Sequence, residues 1–139
     1  MLVTQDAETA MPEGSPAIRT IAMPGDTNPT GDVFGGWLMA QMDLAAMTVA
    51  ARVSKARSVT VAVEGMSFLS PVTVGDVVSL YARLVSTGRT SMKIFVEAWR
   101  RRPDSEQSVK VTQATFTYVA IDDHHHPIPL PPQAAGPAA

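Results

Sequence analysis

The chain contains no cysteine. This excludes disulfides, thiolate metal sites and a cysteine nucleophile, and it agrees with a cytoplasmic location. No window approaches the roughly 18 uninterrupted apolar residues of a membrane-spanning helix, so no membrane partner is expected although 45% of the residues are hydrophobic. The opening residues, MLVTQDAETAMPEG, carry acids early and have no apolar h-region, so no secretory signal is expected. Positive charge is not in excess. The formal net charge is −2 and the pI about 5.8, which is the opposite of a nucleic-acid-binding footprint. There is no internal repeat and no domain boundary, and 139 residues are enough for one domain with one core.

What the chain does have is ordered. Residues 1–16 are polar, contain Pro12, Gly14 and Pro16, and read as a flexible N-terminal arm. Ala17–Met23 is a short strand, and PGDTNPTG (24–31) is dense in turn formers. Gly36–Ala51, GWLMAQMDLAAMTVAA, is built from good helix formers with only Gln41, Asp43 and Thr48 as polar groups. Such a helix is apolar nearly all round and is expected to be buried on most sides. Four runs with period-two alternation follow, Ser58–Leu69, Val74–Ser86, Thr90–Arg101 and Ser108–Ile121. The breaks PVTVGD, STGR and RRPDSEQ are short, so sequential strands are expected to be antiparallel neighbours. The segment 123–139 holds five prolines and several alanines and reads as a flexible tail. The expected class is α+β, an antiparallel sheet of about five strands curled around one long central helix.

Two features of this framework point to chemistry. Asp43 is a solitary carboxylate two turns into an apolar helix, where an unpaired charge is costly unless it has partners, a raised pKa or a task. Gly35 and Gly36 stand where the helix begins. The first helical N–H groups have no internal partner there, and residues without a Cβ let a ligand approach that backbone closely. By contrast, His124–His126 cannot all face one ion from an extended segment, and no acidic ligand is placed to close a site. They read as a solvated loop, and no metal is expected.

The segments IAMPGDTNPTGDVFGGWLMAQMD, VTVAVEGMSFLSPVTVGDVV, GRTSMKIFVEAW and ATFTYVAID resemble, in order and spacing, the motifs of YciA-type acyl-CoA thioesterases of the hotdog superfamily. The resemblance runs from about Ile18 to Ile121 and places a hotdog domain at 17–122. It departs from the family at Pro29 and in the basic run Arg100–Arg102. It implies hydrolysis of acyl-CoA to a free acid and CoA, with Asp43 as general base or direct nucleophile and Asn28, 15 positions earlier, as its partner from the other subunit. Backbone N–H groups at Gly35 and Gly36 would polarise the thioester oxygen. Dimers, assembled as trimers of dimers into a homohexamer, are implied, with no metal or covalent cofactor, coenzyme A being part of the substrate and product.

Coenzyme A carries phosphates, so positive and hydrogen-bonding groups should line its groove. Arg89, Thr90 and Ser91 at a hairpin mouth are candidates for the pyrophosphate, Arg101 within Arg100–Arg102 for the 3′-phosphate, and Arg57 is a further candidate. Met39, Met42 and Met47, with adaptable thioether chains, are candidates for the acyl pocket. Two other functions fit the same fold. A hotdog dehydratase or hydratase uses a His with an acidic partner, and no His lies in the helix or strands. An acyl-CoA-binding sensor normally carries an attached regulatory segment, for which residues 1–16 are short.

Overall fold

The computed structural model describes residues 10–133. Its elements are β1 (Ile18–Ile21), a single 3-10 turn at Pro24–Asp26, α1 (Gly35–Ser54), β2 (Arg57–Glu64), β3 (Val77–Thr87), β4 (Ser91–Arg101) and β5 (Ser108–Ile121). The five strands form one antiparallel sheet in the order β1-β3-β4-β5-β2. It curls around α1, as the alternating runs and the apolar helix predict.

Several details differ from the sequence reading. The helix begins one residue earlier and runs to Ser54, where Lys55 in the left-handed region (φ 52°) ends it. The first long strand stops at Glu64, because Gly65 turns the chain at φ 75°. The two strands flanking this break are not neighbours. β2 pairs with β5 at the opposite side of the sheet from β3, so residues 65–76 cross the sheet end. Leu69 N–H meets the Val111 carbonyl at 2.7 Å along the way.

The crossing segment is clamped from inside. The Asp76 carboxylate is fully buried, accepts from the Thr73 N–H at 2.9 Å and pairs with the Arg102 guanidinium. A buried charge persists only with such partners.

The core lies between one face of α1 and the inner face of the sheet. Leu38, Met42, Ala45, Ala46, Val49 and Ala50 of the helix meet Val78, Leu80, Ile94, Val96, Phe116 and Ala120. The alanines let the helix sit close to the strands, as close packing requires. The opposite helix face remains open, contrary to the expected burial on most sides. Leu44 is 49% exposed, and Met39 and Met47 are also exposed. Next to it β2 is the sheet edge, and Val61 is 55% exposed with Val59 and Val63 beside it.

The described part of the N-terminal arm lies on the outer face of the sheet, with Pro12 and Ser15 beside Tyr81 and Phe95. Residues 1–9 of the arm fall outside the described residues. The proline-rich tail is extended but packed. Ile128 N–H donates to the Ala120 carbonyl and Leu130 N–H to that of Arg89, both at 2.9 Å, and both side chains pack on the core. Residues 134–139 of the tail fall outside the described residues. No helix among the described residues is long and apolar enough to cross a membrane.

Candidate active site

Asp43 projects from the edge of the buried helix face and is half-buried. It has two donors. The Thr60 hydroxyl, from β2, gives a hydrogen bond to Asp43 Oδ1 at 2.7 Å. The Tyr118 hydroxyl, from β5, donates to the same Oδ1 and also lies 2.7 Å from the Asp43 carbonyl oxygen. Among the described residues nothing donates to Oδ2. The carboxylate opens onto a cavity of about 400 Å³ lined by Leu44, Met47, Ser58, Val59, Thr60 and Tyr118. Burial, and after it the bond to Asp43, push the Tyr118 phenol well above its usual range, so it stays protonated and remains a donor.

Tyr118 and Thr60 were not singled out from the sequence, although a signal was present. Alternation puts Tyr118 on the inner face with Phe116 and Ala120, and a buried phenol needs a hydrogen-bond partner. The segment Gly36–Ala51 opposite offers only Gln41, Asp43 and Thr48 as polar groups.

Gly35 and Gly36 form the first turn of α1. Its N-cap, Phe34, supplies no side-chain bond, and neither glycine N–H has a partner among the described residues. A Cβ at Gly35 would lie 3.2 Å from the Phe68 ring, whereas one at Gly36 would meet nothing within 4 Å. The Gly36 backbone is therefore open to a ligand. Beside it is a second, mainly apolar cavity of about 410 Å³, lined by Phe34, Leu38, Phe68, Leu69, Val72 and Val111 among others.

Asn28 sits in the turn that leads to this helix start. Its Oδ1 accepts from Thr30 N–H (3.0 Å), Thr30 Oγ1 (2.8 Å) and Asp32 N–H (3.1 Å). Its carbonyl side is thus used to shape the turn, and its amide NH₂ group has no partner among the described residues. Asp26 is a turn residue as well. Its Oδ2 accepts from Met23 N–H, and its carbonyl accepts from Phe34 N–H, tying the loop to the helix start. Asn28 and Asp43 share no hydrogen bond within one protomer. The glycine N–H groups and Asp43 are also separated. Seven or eight residues of helix put them roughly 10–12 Å apart along the axis, too far for both to act on one carbon in a single protomer.

Arg89, Thr90 and Ser91 do lie at the Asp43 end of the sheet. Ser91 pairs with Val119, next to Tyr118, and the Thr90 carbonyl accepts from Ala120 N–H. Arg57 is at the same end, paired with Ile121, and its guanidinium is 3.5 Å from Asp123 on the exposed surface. Arg101 is not brought to this group. It stands at the other end of the 11-residue β4, about 33 Å away at the usual rise. There it donates to the Ser105 carbonyl at 3.0 Å and holds the β4–β5 turn. Its neighbours are occupied too, Arg100 by Ser70 and the Pro71 carbonyl, Arg102 by Asp76.

Of the three methionines, Met47 lines the Asp43 cavity and Met39 is exposed on the same helix. Met42 is fully buried on the opposite face and belongs to the core. In the tail, His124 and His126 give their backbone N–H groups to Asp122 Oδ1, which with burial opposing holds that carboxyl below its usual range. Among the described residues no three His, Cys, Asp or Glu side chains gather to hold a metal ion.

A curled antiparallel sheet around one helix, with a lone helix carboxylate and an open glycine helix start, defines a class, and comparison with known proteins agrees. The thioesterase superfamily model matches residues 30–106, and the chain belongs to that superfamily. More particularly, it is 51% identical to the acyl-CoA thioester hydrolase YciA of Escherichia coli over 87% of this chain and 94% of that protein. An uncharacterized acyl-CoA thioester hydrolase of Zymomonas mobilis is 53% identical over 93% of this chain and 87% of its own length. Among solved structures, the hexameric thioesterase from Yersinia pestis is 49% identical with a TM-score of 0.82, covering 88% of this chain and all of that one. The fold is the hotdog fold, as in the hexameric hotdog fold thioesterase of Campylobacter jejuni, at 38% identity and a TM-score of 0.80 over 85% of this chain and 91% of that one.

Proposed function

We propose that this protein is an acyl-CoA thioester hydrolase whose working carboxylate is Asp43. The observation that carries this is the Asp43 carboxylate itself: one oxygen is held by Thr60 and Tyr118, the other has no donor among the described residues, and the side chain lines a cavity. The activity of the relatives supports the reaction, since they are acyl-CoA thioester hydrolases at about half identity over nearly the whole chain.

In the proposed reaction the thioester carbonyl lies against the open N–H groups at Gly36 and Gly35, where the positive end of the helix stabilises the developing oxyanion. Asp43 Oδ2 takes a proton from an attacking water, or attacks the carbonyl itself to give a mixed anhydride that water then opens. The C–S bond breaks and CoA leaves as a thiolate, a good leaving group because ordinary thiols ionise near pH 8.5. No metal or covalent cofactor enters these steps.

The separation of the glycines from Asp43 along one helix supports a site assembled from two copies. Asn28 and Gly36 belong to one helix start, and Asp43 comes from the partner. The exposed edge strand β2 and the uncovered Leu44, Met47 and Val61 supply the surface for that pairing. Hexameric solved neighbours support a trimer of such dimers. The nucleotide is assigned to the Arg89, Thr90 and Ser91 mouth with Arg57 nearby, and the acyl group to the helix face at Met39 and Met47. A cytoplasmic location suits the cysteine-free composition.

The test is thiol release measured across short, medium, long and aromatic acyl-CoAs. Turnover of several of them is expected. Failure on every acyl-CoA, with turnover of a simple ester or acyl phosphate, would overturn the coenzyme assignment.

A further inference from the structure

We propose that Tyr118, with Thr60 on its flank, is the positioning residue that locks the Asp43 carboxylate so that a single oxygen faces the reacting atoms. This rests on the hydrolytic reading of Asp43 given above.

The two donors are themselves fixed relative to each other. Thr60 and Tyr118 are register partners across β2 and β5, so their side chains share one face and converge on Asp43 Oδ1. An oxygen with two donors has little acceptor capacity left. A free aspartate turns about its last side-chain bond with two nearly equivalent oxygens. The paired donors remove that equivalence and leave Oδ2 as the oxygen without a donor, on a residue that lines the 400 Å³ cavity.

Tyr118 adds something Thr60 cannot. Its hydroxyl also lies 2.7 Å from the Asp43 carbonyl oxygen, so the ring is tied to the helix backbone at the residue it orients. The ring is almost wholly buried, and packing holds its position. With its ionisation pushed far up by burial, the phenol acts as a donor and not as a base. Among the described residues, the titratable groups lining this cavity are Asp43 and Tyr118.

The experiment uses the intact assembled protein with Tyr118→Phe, Thr60→Val, Thr60→Ser and Asp43→Asn, read by steady-state thiol release between pH 5 and 9. Tyr118→Phe keeps the ring and is expected to lower kcat about tenfold to a hundredfold, the scale of a small misplacement of a reacting group. Its KM should stay within about twofold, because the carboxylate is not a binding group for CoA. Its kcat/KM should fall in parallel with kcat, the split expected when an interaction made in the transition state is lost. Thr60→Val should show a smaller version of both changes, and Thr60→Ser should restore the parent values.

A folded Tyr118→Phe protein with parent kcat and kcat/KM, beside an inactive Asp43→Asn protein, overturns the positioning role and leaves the hydrolytic reading standing. An active Asp43→Asn protein overturns both. If Tyr118→Phe does not fold, the Thr60 pair decides: restoration by serine but not valine supports the proposal, and equal activity of the two overturns it.

Discussion

The Thr60 hydroxyl reaches Asp43 Oδ1 across 2.7 Å from a strand whose other side is unpaired. The candidate catalytic carboxylate is therefore held partly by the least protected strand of the sheet, and the integrity of the site and of the assembly should be linked.

Replacing Asp43 by Asn keeps the volume and removes the base. Thiol release should fall by at least a thousandfold, about 4 kcal/mol of barrier, while the circular dichroism spectrum and CoA binding by calorimetry stay near parent values. Retention of a tenth of kcat would remove Asp43 from the centre of the mechanism.

Charge placed on the uncovered surface should separate the subunits. Leu44→Lys and Val61→Lys alter side chains that are about half exposed in the protomer, so the fold should survive. Light scattering should report a smaller particle, with activity lost in parallel if, as proposed, the site is shared between two copies. A monomer with full activity would contradict the shared site.

The two glycines of the helix start should respond differently. Gly36→Ala adds a methyl into open space and removes backbone freedom in a helix, which should stabilise by about 0.5–1 kcal/mol. The same methyl crowds the N–H proposed to receive the thioester, so kcat/KM should drop tenfold or more. Gly35→Ala must displace the Phe68 ring and should change acyl-chain preference through the adjoining cavity. Parent kcat/KM in Gly36→Ala would make these glycines a plain helix start.

Asp76→Ala should be a stability defect without a mechanistic one. It leaves Thr73 N–H and the Arg102 guanidinium without their buried acceptor. Arg102 is partly exposed and can rehydrate, so a loss of about 2–3 kcal/mol is expected. Thermal melting should show it as a drop of several degrees, with kcat unchanged below the transition.

Much of this was legible in the residues. Strict alternation marked four strands, and the apolar helix marked the centre of the fold. Asp43 stood out because one carboxylate in an apolar helix has to be explained. Its partners were less visible, since the Thr60 and Tyr118 contacts depend on strand register, which periodicity does not fix. The placement of β2 beside β5 was hidden for a similar reason. A short connection suggests a hairpin, and only the tertiary path of residues 65–76 shows that it crosses the sheet end. Charge in a sequence carries no address along a strand, so the sequence does not show that Arg101 stands at the far end of β4 from Arg89. The tail was read as flexible from its prolines, yet Pro127, Pro129 and Pro131 alternate with Ile128 and Leu130, so an extended chain turns both apolar residues toward the core.

With the site shared between two copies, as proposed, the open edge at β2 makes catalysis subject to mass action. When two copies share a site, the fraction of complete sites depends on the ratio of protein concentration to the subunit dissociation constant. Turnover per subunit should therefore be constant at high concentration, decline on dilution through that constant, and return on reconcentration. A specific activity measured at one dilution would then describe the association equilibrium as much as the chemistry at Asp43.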